Sequence, residues 1–325
     1  MALNWDYITS TTREIFIPKL EDDVYDSSAL LKIMLKDKRV LLEGGRKVVQ
    51  PLKYGKSTAA GTYDKYDTFD MTPFDKLTAA EWTWGHYYST AVISGTEEAE
   101  NMGKARVINL LQAKFDEASM ALKEAIANDI YSGSSSGKGI VGLSTAVDNS
   151  ATYGGISVSD FSGWASGVDT TAHTEANMKD STSSSYVLTL LQNAFRSATH
   201  LGQKPNLVIT TLKIWDIIET VIQRDTNYNK STTSGRTKLI GELGYNVLEF
   251  RGVPIIADEM APDNYMYVLN TNFMNLKVHP SFNFKFTGWK PAYNQDAKAG
   301  IILFHAQLTL SNRRMHYKFT NLAAS

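Results

Sequence analysis

Apolar residues recur at helical spacing over the run from Thr96 to Tyr131. Val107, Leu111, Phe115, Ala118, Leu122, Ala125 or Ile126, and Ile130 fall on one stripe, while Lys104, Gln112, Asp116, Lys123 and Asn128 fall opposite. The run holds no proline and no glycine beyond Gly103, so little in it breaks a helix. At about 1.5 Å per residue it would reach about 54 Å, and it exceeds the roughly 8–20 residues usual for globular helices. Thr96 is placed to cap it, and Glu97, Glu98 and Glu100 put negative charge at its positive end. The stripe predicts one face against a sheet or helix and one face wet. A helix of this length suits a subunit that spans distance and grips neighbours.

The pattern ahead of the helix has strand period. Lys47 to Leu52 opens a strand, Gly55 to Gly61 is a turn of small residues, and Tyr63, Tyr66 and Phe69 alternate with Asp64, Lys65 and Asp67. The return strand runs from Leu77 through Trp82, Trp84, Tyr87, Tyr88 and Val92 to Ile93. Two strands alone are marginal in water, so this long hairpin predicts a surface to lie on. Trp82 and Trp84, on alternate residues, point to one face and are expected to anchor a neighbouring subunit.

Residues 1–46 read as an arm. Trp5, Tyr7 and Tyr25 mix with Asp6, Glu21, Asp22 and Asp23, a short amphipathic piece follows from Ser28 to Leu35, and the arm stops at Gly44-Gly45. Ile15, Phe16, Ile17 and Pro18 make it too apolar for a disordered tail. Beyond the long helix, residues 132–184 are rich in Ser, Gly and Thr. A helix is expected from Ser185 to Leu201, a short buried strand from Asn206 to Thr210, a helix from Leu212 to Arg224 and a polar loop from Asp225 to Arg236. Strands are expected at Asn246–Phe250, Val253–Ala257 and Met266–Leu269, and the tail from Phe282 to Phe319 alternates again.

Composition narrows the function. The 325 residues suffice for one large or two modest domains, and 33 Lys plus Arg against 34 Asp plus Glu leave a net charge of −1. A dedicated nucleic-acid binder would carry a basic excess. The absence of cysteine removes disulfides, thiolate nucleophiles and cysteine zinc sites. No apolar run approaches the length of a membrane span, and the first residues lack a secretory pattern, so a cytoplasmic site of synthesis is expected.

Candidate chemistry is thin. Gly133-Ser134-Ser135-Ser136-Gly137 matches GxSxG, but a nucleophile elbow needs a strand before the serine, and here a helix precedes it. A soluble serine hydrolase using this loop is the alternative from another class. The nearby Gly137-Lys138 falls one residue short of a phosphate loop. His86, His173, His200, His279, His305 and His316 show no ligand spacing. Asp258-Glu259, at the end of a buried strand, reads as a turn or interface pair. No catalytic residue, cofactor or metal is expected.

The order of elements resembles the major capsid protein of tailed double-stranded-DNA bacteriophages, an α+β chain of the HK97 fold. Arg13–Leu20, Gly44-Gly45 and Pro51–Gly55 are similar to its arm and hairpin base. Phe74–Ala79 and Ile93–Glu97 resemble the hairpin return and the start of the helix, Gly139–Leu143 the loop after it, and Leu243–Tyr245 with Phe250–Asp258 a strand pair. The resemblance implies an N-terminal arm (1–46), an extended hairpin loop (47–94), a peripheral domain with a spine helix (95–140), an axial domain (141–272) and C-terminal peripheral strands (273–325). It implies self-assembly through hexamers and pentamers into an icosahedral shell around DNA, with portal, scaffolding and decoration proteins as partners, and a place in the virion. Subunit-interface residues are expected at Arg13 and Phe16 in the arm, at Lys53, Tyr54, Lys65, Tyr66, Trp82 and Trp84 in the hairpin, and at Tyr228 and Arg236 in the polar loop. Some members join subunits by a Lys–Asn bond. Lys53, Lys56 or Lys65 with Asn294 would be the residue types here, without support from spacing. Met1 ahead of so short an arm favours a separate scaffold. An encapsulin-type compartment of the same fold is the alternative within the class.

Overall fold

The computed structural model describes residues 28–53, 55, 59–69, 77–100, 110–134, 137–225, 247–293 and 295–324. Arm residues Arg13 and Phe16, and Tyr54, Lys56, Tyr228, Arg236 and Asn294, lie outside them. The elements in order are α1 (Ala29–Asp37), β1 (Arg39–Leu41), β2 (Lys47–Lys53), β3 (Leu77–Thr83), β4 (Gly85–Ser94), α2 (Gly95–Glu100), α3 (Leu110–Ser132) and α4 (Leu143–Ala146). Then come β5 (Gly167–Asp169), β6 (His173–Thr174), α5 (Glu175–Lys179), α6 (Val187–Ala198), β7 (Leu207–Thr210), α7 (Leu212–Asp225), β8 (Val247–Phe250), β9 (Val253–Ala257) and β10 (Met266–Leu269). The chain closes with β11 (Met274–Val278), β12 (Lys285–Phe286), β13 (Lys290–Pro291), β14 (Ala297–Leu310), β15 (Tyr317–Phe319) and β16 (Leu322–Ala324). Two compact units result. The smaller takes the described parts of 88–123 and 284–303, the larger those of 26–87, 124–283 and 304–325.

The larger unit holds a six-stranded sheet in the order β5-β15-β10-β7-β9-β8. Its central strands are buried on both faces, as LVIT in β7 and MYVL in β10 predict. On one face α6 and α7 lay down Val187, Leu190, Leu191, Ile214, Ile218 and Val221 against Val208, Ile255, Met266 and Val268. β8 and β9 join through Arg251 and Gly252, both at positive φ, the geometry of a two-residue turn that matches strand twist. In the same unit β11 pairs antiparallel with residues 306–310 of β14 and parallel with β1.

The smaller unit pairs β12 and β13 with residues 298–303 of β14. Phe286 packs edge-on to Phe115 of α3 at 5.1 Å between ring centroids and to Trp289 at 5.6 Å. The start of α2 is fixed by a reciprocal cap. The Ser94 hydroxyl accepts from the Glu97 N–H at 3.2 Å, and the Glu97 carboxylate accepts from the Ser94 N–H at 3.3 Å. Thr96, the expected cap, lies inside the first turn instead, because the helix starts at Gly95 and its cap is Ser94, two residues before Thr96.

Two helices, α2 and α3, lie within the expected long run, and residues 101–109 between them lie outside the described residues. In α3 the expected stripe is buried at Ala118, Leu122, Ile126 and Ile130, while Ala125 is exposed. The second part of the expected arm behaves as core. α1 buries Ala29, Leu30, Leu31, Ile33 and Met34, and β1 joins β11 in register from Arg39 with Leu276 to Leu41 with Val278. The amphipathic spacing of Ser28 to Leu35 is thus satisfied within the subunit, which leaves a shorter candidate arm than 1–46.

Candidate functional site

One face of the described hairpin strands is exposed, and the other is buried or half-buried. β2 and β3 pair from Lys47 with Thr83 to Lys53 with Leu77. Only Val48, Ala80 and Trp82 are buried in the pair. Beyond them Leu77 is 72% exposed and Tyr66 is 97% exposed, with Val49, Tyr63 and Phe69 exposed as well. Tyr63 and Phe69 touch edge-to-face at 5.2 Å. These residues place apolar and aromatic surface in solvent. Lys53 and Lys65 are exposed, and Lys65 directs its N–H to Asp64 at 2.7 Å.

The base of the hairpin is anchored in its own subunit. Trp82 is 3% exposed, with its ring 5.4 Å from that of Tyr153, so it has almost no surface to offer a neighbour. Gly154, at φ +62°, brings its backbone under Ala80 and Trp82, and its carbonyl accepts from the Glu81 N–H at 2.9 Å. The two tryptophans therefore differ. The chain leaves strand conformation at residue 84, and Trp84 remains half-exposed, its Nε1–H donating to the Gly45 carbonyl at 3.0 Å. Behind β4, the Tyr87 hydroxyl donates to Asp129 at 2.7 Å and accepts from the Ile140 N–H at 2.7 Å. Burial pushes this phenol well above its ordinary pKa.

Three polar clusters among the described residues hold the fold. The Asp258 carboxylate accepts from the Leu30 N–H at 3.0 Å, the Ser28 hydroxyl at 3.1 Å and the Tyr131 hydroxyl at 2.7 Å. It sits at the positive end of α1 and ties β9 to α1 and α3. Arg313, fully buried, donates to the carbonyls of Thr145, Ala146, Ala151 and Asp148 at 2.7–3.2 Å, between the rings of Tyr153 and Trp164. Burial lowers its pKa to about 10 against the favourable influence of Tyr153 and Asp148. Burial alone would raise the neighbouring Asp148 carboxyl, but hydrogen bonds from Lys318 and the Ser150 and Ala151 N–H groups outweigh it and hold Asp148 at about 2.

The third cluster has a serine–histidine–aspartate order that no motif announces. His173 Nδ1 lies 2.9 Å from the Ser185 hydroxyl and Nε2 lies 3.3 Å from Asp169. Its two adjacent backbone donors are already engaged. The Ser185 N–H is taken by Ser183 Oγ at 3.1 Å and the Tyr186 N–H by the Ser183 carbonyl at 3.1 Å, so neither is left to stabilise an oxyanion. With the imidazole 5% exposed, the trio braces β5, β6 and the approach to α6. In the GxSxG loop only Gly133, Ser134 and Gly137 are described, and α3 precedes them without a strand. Among the described residues no group of three or more His, Asp or Glu is arranged to hold a metal ion, and no helix is long and apolar enough to cross a membrane.

One grouping was invisible in the sequence. His86, His279 and His305 come together with Phe282 and Trp84 at the hairpin root. Only strand pairing joins residues more than two hundred positions apart.

A family model described as the SU10 major capsid protein matches residues 88–323. Among solved structures, the chain is similar to the capsid asymmetric unit of cyanophage A-1(L), with a TM-score of 0.66 at 15% identity over 99% of this chain and 100% of that one. It is similar to a structure from Mycobacterium phage Adephagia, with a TM-score of 0.61 at 11% identity over 100% of this chain and 99% of that one. It is also similar to the holo-SrpI encapsulin of Synechococcus elongatus PCC 7942, with a TM-score of 0.59 at 10% identity over 99% and 96%. No curated protein sequence matches it.

Proposed function

The chain belongs to the SU10 major capsid protein family, and from that premise we propose how it does its work as an HK97-like capsid subunit of the virion. Subunits assemble through hexamers and pentamers into an icosahedral shell around phage double-stranded DNA, and the β2–β3 hairpin of each lies on a neighbour. The observation that carries this reading is the hairpin itself, on which Val49, Tyr63, Tyr66, Phe69 and Leu77 are exposed among the described residues. The residues of the candidate arm, with Tyr54, Tyr228 and Arg236, belong to the same proposed interface, as do Lys53, Lys65 and Tyr66. Residues 141–272 form the axial domain in this reading, and the spine helix and C-terminal strands form the peripheral domain. A net charge of −1 suits a container that gains nothing by holding phosphates tightly. Portal, scaffolding and decoration proteins are the further partners expected of a shell. The similarity to the holo-SrpI encapsulin favours a compartment for protein cargo as the second reading.

The test is assembly. Light scattering and negative-stain images of the purified protein are expected to show closed particles or rings of five and six. The Tyr66→Ser, Phe69→Ser variant is expected to lose particles while keeping subunit stability within about 0.5 kcal/mol, as exposed sites do. A variant that assembles like the wild type overturns the role given to the hairpin.

A further inference from the structure

We propose that the root of the hairpin is a proton-operated latch: the rings of His86, His279 and His305 gather around Phe282 and back the Trp84 clamp that holds both hairpin legs, and protonation of this cluster frees the clamp. Three elements bring the rings together. His86 lies on β4, His279 follows β11, and His305 lies on β14 with its carbonyl accepting the His279 N–H at 3.0 Å. The His305 ring stacks on Phe282 at 4.2 Å and 19°, and the His86 ring meets its edge at 4.3 Å. His279 touches Phe282 at 5.3 Å on one side and Trp84 at 5.8 Å on the other. Trp84 stands just after the outgoing leg, β3, and its Nε1–H holds the Gly45 carbonyl just before the incoming leg, β2. The contacts thus run unbroken from His86 to the point where both legs leave the body.

Protonation works against this stack in two ways. The His279 Nδ1 accepts from the Ser281 N–H at 3.2 Å and caps the turn that carries Phe282. A proton on Nδ1 converts that acceptor into a donor and breaks the cap. Charges on the His86 and His305 rings would also repel each other at 4.3 Å between centroids. The charged groups on the surrounding elements are Lys277 of β11, Lys138, whose carbonyl accepts the His86 N–H, and Glu43 and Arg46 on either side of Gly44-Gly45. Arg39 of β1 is in register with Leu276, on the opposite face. Among the described residues no carboxylate forms an ion pair with any of the three imidazoles. Burial first, then His86 and His279, hold the His305 imidazole below its ordinary pKa, so the closed form is favoured above about pH 6.5 and weakens as the pH falls.

The latch is a property of the subunit and holds or fails whether or not the hairpin reaches a neighbour. The experiment is hydrogen exchange read by mass spectrometry on the purified chain at pH 7.5 and pH 5.5, corrected for the intrinsic rate. At pH 5.5, peptides covering 44–53 and 80–87 are expected to lose at least tenfold in protection while β7 and β9 keep theirs. His305→Phe preserves a ring over Phe282 without a titrating group, and His279→Asn preserves an acceptor for Ser281. Retained protection of the root at pH 5.5 in either variant supports the latch. Equal protection of the wild-type root at the two pH values, or equal loss in the wild type and both variants, overturns it.

Discussion

Two buried polar side chains, Arg313 and His316, carry predictions at the scale of single residues. Arg313→Met keeps an apolar stem but withdraws the donors of four carbonyls in the 145–151 segment. A buried acceptor left without a donor costs about 1–3 kcal/mol, so even partial relaxation predicts a loss of at least about 3 kcal/mol in urea unfolding. His316 is fully buried and accepts the Asn270 N–H at 3.3 Å through Nδ1. Burial, and then the nearby Arg313 charge, lower its pKa from 6.5 to about 3. Below pH 6.5 the unfolded chain takes a proton that the folded one refuses. The stabilisation is therefore complete above 6.5 and is lost down to about pH 3, at about 1.4 kcal/mol per pH unit. His316→Asn retains an acceptor and cannot titrate. Between pH 7 and pH 5 the wild type is expected to lose about 2 kcal/mol more than this variant in urea titrations at each pH. Asp148, held near 2, contributes in a lower window, where stability is lost as pH falls from 3.8 toward 2.

Elements were readable where a single periodicity sufficed. The α3 stripe, the β7 and β10 runs and the amphipathic α6 and α7 all follow from spacing. The ends of elements follow local chemistry that spacing does not weigh, which is why Ser94 and not Thr96 caps α2. The described hairpin divides into a root with Val48, Ala80 and Trp82 buried and a segment, 59–69, that is exposed. Trp82→Ala tests the division. It empties a site against Tyr153 and Gly154 and is expected to cost about 3–5 kcal/mol in subunit stability by thermal or urea unfolding. Trp84, half-exposed, is not in that class. A Trp82→Ala protein as stable as the wild type would move Trp82 from the core to the interface.

For the whole molecule the contents of the particle separate the two shell readings. Particles isolated from cells infected with or expressing the parent virus are expected to carry nuclease-protected double-stranded DNA. Particles filled with a folded protein and free of DNA would favour the encapsulin-type reading. The family match begins at Tyr88, just after the hairpin, so the element that carries the proposed contact is the part of the chain for which assembly experiments decide most.

Sequence alone determined the order and type of the main elements, since hydrophobic period, capping residues and glycine turns are local and act through neighbours three or four positions away. The alternation of β2 and β3 was also legible, whereas the expected strand alternation at Tyr63, Tyr66 and Phe69 is an exposed turn segment outside the strand pair. Tertiary structure decided what each polar residue does. Asp258 became a helix cap, Arg313 a brace for a loop 160 residues away and Trp82 a core side chain, while His86, His279 and His305 became one cluster. These outcomes depend on strand pairing and layer packing across long sequence separations, where burial and partner geometry, not local pattern, set the role of a side chain.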